Sequence, residues 1–171
     1  MRQLKSVLAV FIALAILGVS FTTVPYTPKK TTSASLLQGN AHVNGGGTAL
    51  EGGVKSTFVF NAVQLPDGSV NGHLHYNIRL TNTEFDMDIT CLSINGNRAT
   101  LYGTVTSVSG SNIPSYIFVG NTASFTVEDN GNGKAADKIS DVFLSTVFGT
   151  VSCADNWNTY LTVSGNISIK E

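Results

Sequence analysis

Little in this chain is charged. Asp, Glu, Lys and Arg supply 12% of its 171 residues, about half the usual share in soluble domains. From residue 41 onward six basic residues (Lys55, Arg79, Arg98, Lys134, Lys138 and Lys170) stand against eleven acidic ones, a net of −5 with His neutral. The six form no cluster, and a phosphate-binding surface needs one, so nucleic acid is excluded as a partner. Cysteine is almost absent. Cys91 and Cys153 are the only two, and neither lies beside the apolar amino-terminal run, which excludes a lipid attached there. No G-x-S-x-G, H-E-x-x-H or P-loop occurs, and Cys91 without an adjacent His is a poor nucleophile. Helical periodicity with caps is missing from every span of ten residues.

What is present begins with an export segment. Arg2 and Lys5 precede an uncharged apolar run from Val7 to Val19, the charged n-region and h-region of a signal peptide. Gly18-Val19-Ser20 offers small residues for cleavage. The uncharged stretch from Ser6 to Val24 is also long enough to span a bilayer, so residues 1–24 read as a signal peptide or an N-terminal anchor. Either way the remainder is expected outside the cytoplasm, secreted or at the cell surface, because the positive end stays inside. Any membrane association runs through this segment alone, if it is uncleaved. Residues 25–40, rich in Pro, Thr, Ser and Lys, read as a linker, and residues 41–171 as one β domain.

The centre of that domain is Glu84 to Val108. Asn95-Gly96 is expected to turn a hairpin, with Leu92 opposite Ala99 and Thr90 opposite Leu101. Phe85, Met87 and Ile89 share one face while Leu92 and Ile94 fall on the other, so a one-residue bulge near Thr90-Cys91 is expected to reunite them. Val54 to Val63 and Val70 to Leu80 alternate cleanly, the second with Leu74, Tyr76, Ile78 and Leu80 inward and His73 and His75 outward. They should pair across Pro66-Asp67-Gly68-Ser69. Ala41 to Thr48, Ile117 to Val119, Thr122 to Glu128, Ile139 to Phe148 (apolar on both faces) and Tyr160 to Ile169 complete the expected strands. The fold class is all-β: a single antiparallel β-sandwich or a closed up-and-down β-barrel of about eight strands. Phe58, Phe60, Tyr76, Phe85, Phe125 and Phe143 are enough aromatics to fill it.

Three groups of residues could carry chemistry. Cys91 and Cys153, in an oxidising compartment, are expected to form a disulfide worth roughly 4 kcal/mol on loop-entropy grounds. His73 and His75 point to one face, as a zinc site requires, with His42 as a third ligand if the first strand lies alongside. Exposed, solvated histidines are the plainer reading. Asp129, Asn130, Asn132 and Asp137, beside Glu128, offer the hard oxygens that calcium prefers, but the spacing is not an EF-hand and an Asx-type turn explains the same residues. No cofactor is expected.

Phe58 to Val63, Ile89 to Val105, Phe125 to Ser140 and Ser164 to Glu171 stand in order at ordinary spacing. They include Cys91-Leu92 followed by Gly96-Asn97 and Ala99, an Asp129-Asn130-Gly131 loop ending at Asp137, and Ser164-Gly165-Asn166-Ile167. In these motifs the chain resembles a family of small secreted bacterial and archaeal β domains of the post-COAP-1 type. Asn132-Gly133-Lys134 departs from the Glu-Pro usual there. The resemblance implies an exported β domain and carries no catalytic residues. The expected function is an exported non-catalytic module, a surface component binding an extracellular protein or glycan. The alternative is a small-ligand-binding barrel or a metal-dependent enzyme using the His73/His75 face.

Overall fold

The computed structural model describes residues 40–51, 53–131 and 136–171. The expected export segment, the expected linker up to residue 39 and Asn132 lie outside them. Strand β1 (His42–Glu51) pairs antiparallel with β2 (Val54–Gln64), and β2 with β3 (Val70–Ile78). β3 pairs with β4 (Thr83–Asn95), β4 with β5 (Arg98–Gly110), and β5 with β6 (Thr122–Glu128). The meander then breaks into two-residue strands, β7 (Lys138–Ile139) and β8 (Phe143–Leu144), each on a different half of β6. One helical turn, α1 (Ser145–Phe148), follows. The last strand, β9 (Leu161–Lys170), returns beside β1 and meets β7. The sheet is therefore bent nearly into a closed barrel, with β7 as its narrow seam.

The seam is completed by side chains. On the seam side of β9, among the described residues, the strand pairing is that of Lys138 and Ile139 alone. Beyond them the Asp137 carbonyl accepts the Val163 N–H at 2.9 Å. The Asp137 carboxylate accepts Ile167 N–H at 2.6 Å and that of Asp129 accepts Ile169 N–H at 3.1 Å. Two acidic residues thus satisfy the β9 donors that a longer strand would have taken, which a buried backbone requires.

The bulge expected near Thr90 is there. Ile89 lies opposite Gly103 and Cys91 opposite Tyr102, which leaves Thr90 extra. Phe85, Met87, Ile89 and Leu92 are all buried as a result. At this point the strands come so close that a Cβ on Gly103 would sit 1.9 Å from the Asp88 carbonyl oxygen. A second bulge, not foreseen, leaves Thr106 extra on β5 between the Asp86–Ser107 and Met87–Val105 pairs. The hairpin register needs correction. Gly96-Asn97 are the turn residues, with Asn95 opposite Arg98, so Leu92 faces Leu101 rather than Ala99. Gly96 takes φ +62° and Asn97 does not go positive, as a turn with glycine in its first central position demands.

Inside the barrel Phe60 meets Phe125 edge-on at 5.5 Å, and Tyr76 stacks on Phe85 at 5.4 Å. Five of the six expected aromatics are interior. Phe143 is not: it lies outside, stacked on Trp157 with centroids 4.0 Å apart. Three further expectations fail. β3 stops at Ile78 and Leu80 is 73% exposed. Ile117 to Val119 forms no strand; Ile117 is buried while Phe118 and Val119 face solvent. The run from Ile139 to Phe148 is not a strand covered on both sides, and Val147 and Phe148 are exposed.

Candidate functional site

The two ends of the barrel differ in chemistry. At one end lie Pro66-Asp67-Gly68-Ser69, the Gly96-Asn97 turn and the loop after Glu128, all polar. At the other lie the β1–β2 and β3–β4 turns, the 111–121 connection and the segment after β7. This second end carries Leu50, Leu80, Ile113, Tyr116, Phe118, Val119, Val147 and Phe148, each at least 42% exposed. So many large exposed apolar side chains gathered at one end exceed the single, scattered ones of an ordinary surface.

Three of them, Tyr116, Val147 and Phe148, border a cleft of about 450 Å³. Its floor and strand wall are inward residues near the strand ends: Val54 and Ser56 on β2, Tyr76 and Ile78 on β3, and Phe85 on β4. Its other wall is Tyr116 and Ile117 together with Asp141, Val142, Leu144, Val147 and Phe148. The strand interior stops short here because β6 is shorter than β5: Thr122 is already opposite Thr104, leaving the upper part of β5 without a β6 partner. The 111–121 connection folds back over that gap: the Val105 N–H donates to the Asn121 carbonyl and the Val105 carbonyl accepts the Gly120 N–H, both at 2.8 Å.

Asn121 holds the two outer cleft segments together. It is 2% exposed. Its Nδ2 donates to the Tyr116 carbonyl (3.0 Å) and to Thr146 Oγ1 (2.8 Å), while its Oδ1 accepts from Ser145 Oγ at 2.7 Å. Asp141 stands on the cleft wall and accepts the Tyr160 hydroxyl. Neither residue announces itself in the sequence.

The outer face of β3 and β4 carries a ladder of polar pairs. His73 lies opposite Asp88, His75 opposite Asp86 and Asn77 opposite Glu84. Asp86 Oδ1 is 2.8 Å from His75 Nδ1 and 3.3 Å from His73 Nε2, and its Oδ2 accepts Ser107 Oγ at 2.7 Å. The Ser107 hydroxyl, then His75 and His73, hold the Asp86 carboxyl below its ordinary range, against partial burial acting the other way. The His-x-His reading missed these acids because they come from the neighbouring strand. Asp86-Met87-Asp88 alternates about a buried Met, and that signal was available.

The expected third histidine is elsewhere. His42 is on β1, and β2 lies between β1 and β3. Among the described residues no group of three or more His, Cys, Asp or Glu side chains is placed to hold a metal ion. The calcium-type loop is likewise committed to backbone. Asp129 Oδ1 accepts Gly131 N–H and Asp137 Oδ1 accepts Asn130 N–H, in addition to the β9 amides already described. Asn130 donates to the Ala136 carbonyl. Glu128 is engaged by Thr159, then by Arg98, and its carboxyl is held below the ordinary range chiefly by the Thr159 hydroxyl.

Cys91 and Cys153 stand as a disulfide with Cα atoms 5.9 Å apart, within the range such a bond needs. Cys91 lies on the outer side of β4. The bond pins the 149–160 segment over the outer face of β5 and β6, where Thr100, Ser124 and Thr126 are buried. Trp157 Nε1 donates to Ser124 Oγ at 2.7 Å, and Arg98 donates to the Trp157 carbonyl at 2.6 Å. Comparison with known proteins found no matching family model, no similar curated protein and no similar solved structure.

Proposed function

We propose that this chain is an exported, non-catalytic β-barrel module that takes a small apolar molecule in the cleft at its apolar end. The cleft carries the reading. Its volume of about 450 Å³ falls in the range of ordinary ligand sites, and its lining is mostly apolar with a few placed polar groups, Ser56 and Asp141 among them. Barrel mouths are a recurring place for such sites. This favours a small ligand over a glycan, whose hydroxyls call for a denser set of polar partners. The barrel is apolar within, and its outer β3–β4 face is polar, the inverse of a barrel that faces lipid. Export is supported by the amino-terminal pattern and by the disulfide, a bond that persists in oxidising compartments.

Both halves are testable. An uncharged probe, N-phenyl-1-naphthylamine, should brighten on binding the wild-type protein, and Val142→Trp, which fills the cleft, should abolish the response. Val59→Trp, on the exposed outer face of β2, should not. Equal responses from the two variants would refute the cleft. In the native host, protease added to intact cells should digest the 41–171 domain; protection in the cytosol would refute export.

A further inference from the structure

We infer that the ligand is an amphiphile whose polar end is a protonated amine: an apolar body in the cleft with its cation against Asp141. This rests on the cleft being the ligand site and goes on to name the ligand's chemistry. Among the described residues lining the cleft, Asp141 is the one acidic side chain and none is Lys, Arg or His. A carboxylate on an otherwise apolar wall raises the cost of placing a second anion there, because like charges repel more strongly where water is partly excluded. Fatty acids and other carboxylate- or sulfate-headed amphiphiles are therefore disfavoured. An ammonium group gains the same attraction with its sign reversed.

The surroundings suit a cation in a second way. Tyr76, Phe85, Tyr116 and Phe148 all line the cleft, and aromatic faces attract ammonium groups that approach them. Asp141 is also oriented. It accepts the Tyr160 hydroxyl, and Ser140 Oγ donates to the Asp141 carbonyl at 2.7 Å, so the backbone carrying it is fixed. A carboxylate oxygen pair has room for several donors, and an ammonium brings three. A neutral alcohol of the same chain length could bury the same apolar surface but offers Asp141 one uncharged donor.

The test is a matched series on the full domain: decylamine, decan-1-ol and decanoate, each below its aggregation concentration. Binding is read from amide shifts of Val54, Ile78, Val142 and Leu144 in two-dimensional NMR. The amine is expected to bind roughly tenfold more tightly than the alcohol, the scale of one partly desolvated charge contact, and the carboxylate more weakly than either. In Asp141→Asn the amine and alcohol should converge to within about twofold. Should that variant fail to fold, the wild-type ranking decides by itself. Amine and alcohol binding alike, or decanoate binding best, would overturn the amine assignment and leave the apolar cleft standing. Shifts at none of the four amides with any of the three probes would overturn the cleft reading itself, and the amine assignment with it.

Discussion

The carboxylate of Asp137 accepts the backbone N–H of Ile167 at 2.6 Å, and through this contact a loop side chain closes the seam of the barrel. The same carboxylate accepts Asn130 N–H at 2.9 Å. Asp137 is buried and Ile167 is part of the core, so removing the acceptor strands a donor away from water.

Asp137→Ala should therefore cost at least about 3 kcal/mol, since each hydrogen bond to a charged group is worth about 1.5–3 kcal/mol. Chemical denaturation measures the loss, and hydrogen exchange locates it. The Ile167 and Asn130 amides should exchange faster than those in the β3–β4 hairpin. A variant as stable as the wild type would mean that the seam is held by the β7 pairing, the Asp137 carbonyl and Asp129 without the Asp137 carboxylate.

The core makes a sharper test. Leu101 is fully buried and lies opposite Leu92, so Leu101→Ala should cost about 2–5 kcal/mol as a cavity-forming truncation. Thr104, on the other face of β5 opposite Asp88, should accept alanine within about 1 kcal/mol. Equal denaturation midpoints would contradict the register.

Much of this was legible in the sequence because it depends on alternation. Val54 to Val63 and Val70 to Ile78 declare their inner faces, and the mismatch between Ile89 and Leu92 required a bulge that the structure places at Thr90. The run from Ile139 to Phe148 was not legible, because its apolar residues serve three purposes. Ile139 and Leu144 enter the core, Phe143 packs on Trp157, and Val147 and Phe148 shape the cleft. Periodicity cannot separate these. The cleft was invisible for the same reason: it exists because β6 is short and Asn121 gathers Tyr116, Ser145 and Thr146, a long-range arrangement with no local signature. The loop from Asp129 to Asp137 admitted both an Asx-type and a calcium reading, because carboxylates that accept backbone amides and carboxylates that bind cations look alike in one dimension.

Asn121→Ala should separate the two outer walls of the cleft. It leaves the Tyr116 carbonyl and the Thr146 hydroxyl, already bonded to each other at 2.9 Å, without their shared donor. A loss of about 1.5–4.5 kcal/mol is expected from the three hydrogen bonds Asn121 makes, each worth about 0.5–1.5 kcal/mol. Fluorescence of N-phenyl-1-naphthylamine with this variant should fall more than its stability does, because the walls move while the barrel stays. Unchanged probe affinity would show that Tyr116 and Thr146 hold the cleft without Asn121.

Asp86 supplies a pH dependence with a definite sign. Its folded-state carboxyl titrates below its ordinary range, so the unfolded chain binds the proton more readily. The Asp86 contribution to stability is thus present in full above the unfolded carboxylate range, near pH 4, and is lost as pH falls through the lower folded value. Denaturation curves of wild type and Asp86→Asn should differ at pH 6 and draw together towards pH 2. Ser107→Ala, which removes the first cause of the shift, should reproduce part of that behaviour. A gap between the two proteins that widens on acidification would reverse the sign and refute the assignment.

The last prediction concerns Cys91 and Cys153, 62 residues apart in sequence. Their bond fixes the 149–160 segment, which Arg98 also holds through Asn156, Trp157 and Thr159. Reduction should lower the melting temperature without unfolding the barrel at ambient temperature, because the β4–β5 ladder and the core do not depend on the bond. Loop-entropy models put the loss at roughly 4 kcal/mol, and the anchoring by Arg98 should keep part of the segment in place. Trp157 reports on this directly. Its stacking on Phe143 and its hydrogen bond to Ser124 shield the indole in part, so its fluorescence should change little on reduction in wild type and shift to the red in an Arg98→Ala background. Mass spectrometry of protein isolated unreduced from its native host should find a peptide linking the two cysteines. Full alkylation of both thiols in that material would refute the bond and leave Arg98 as the principal tie between segment and barrel.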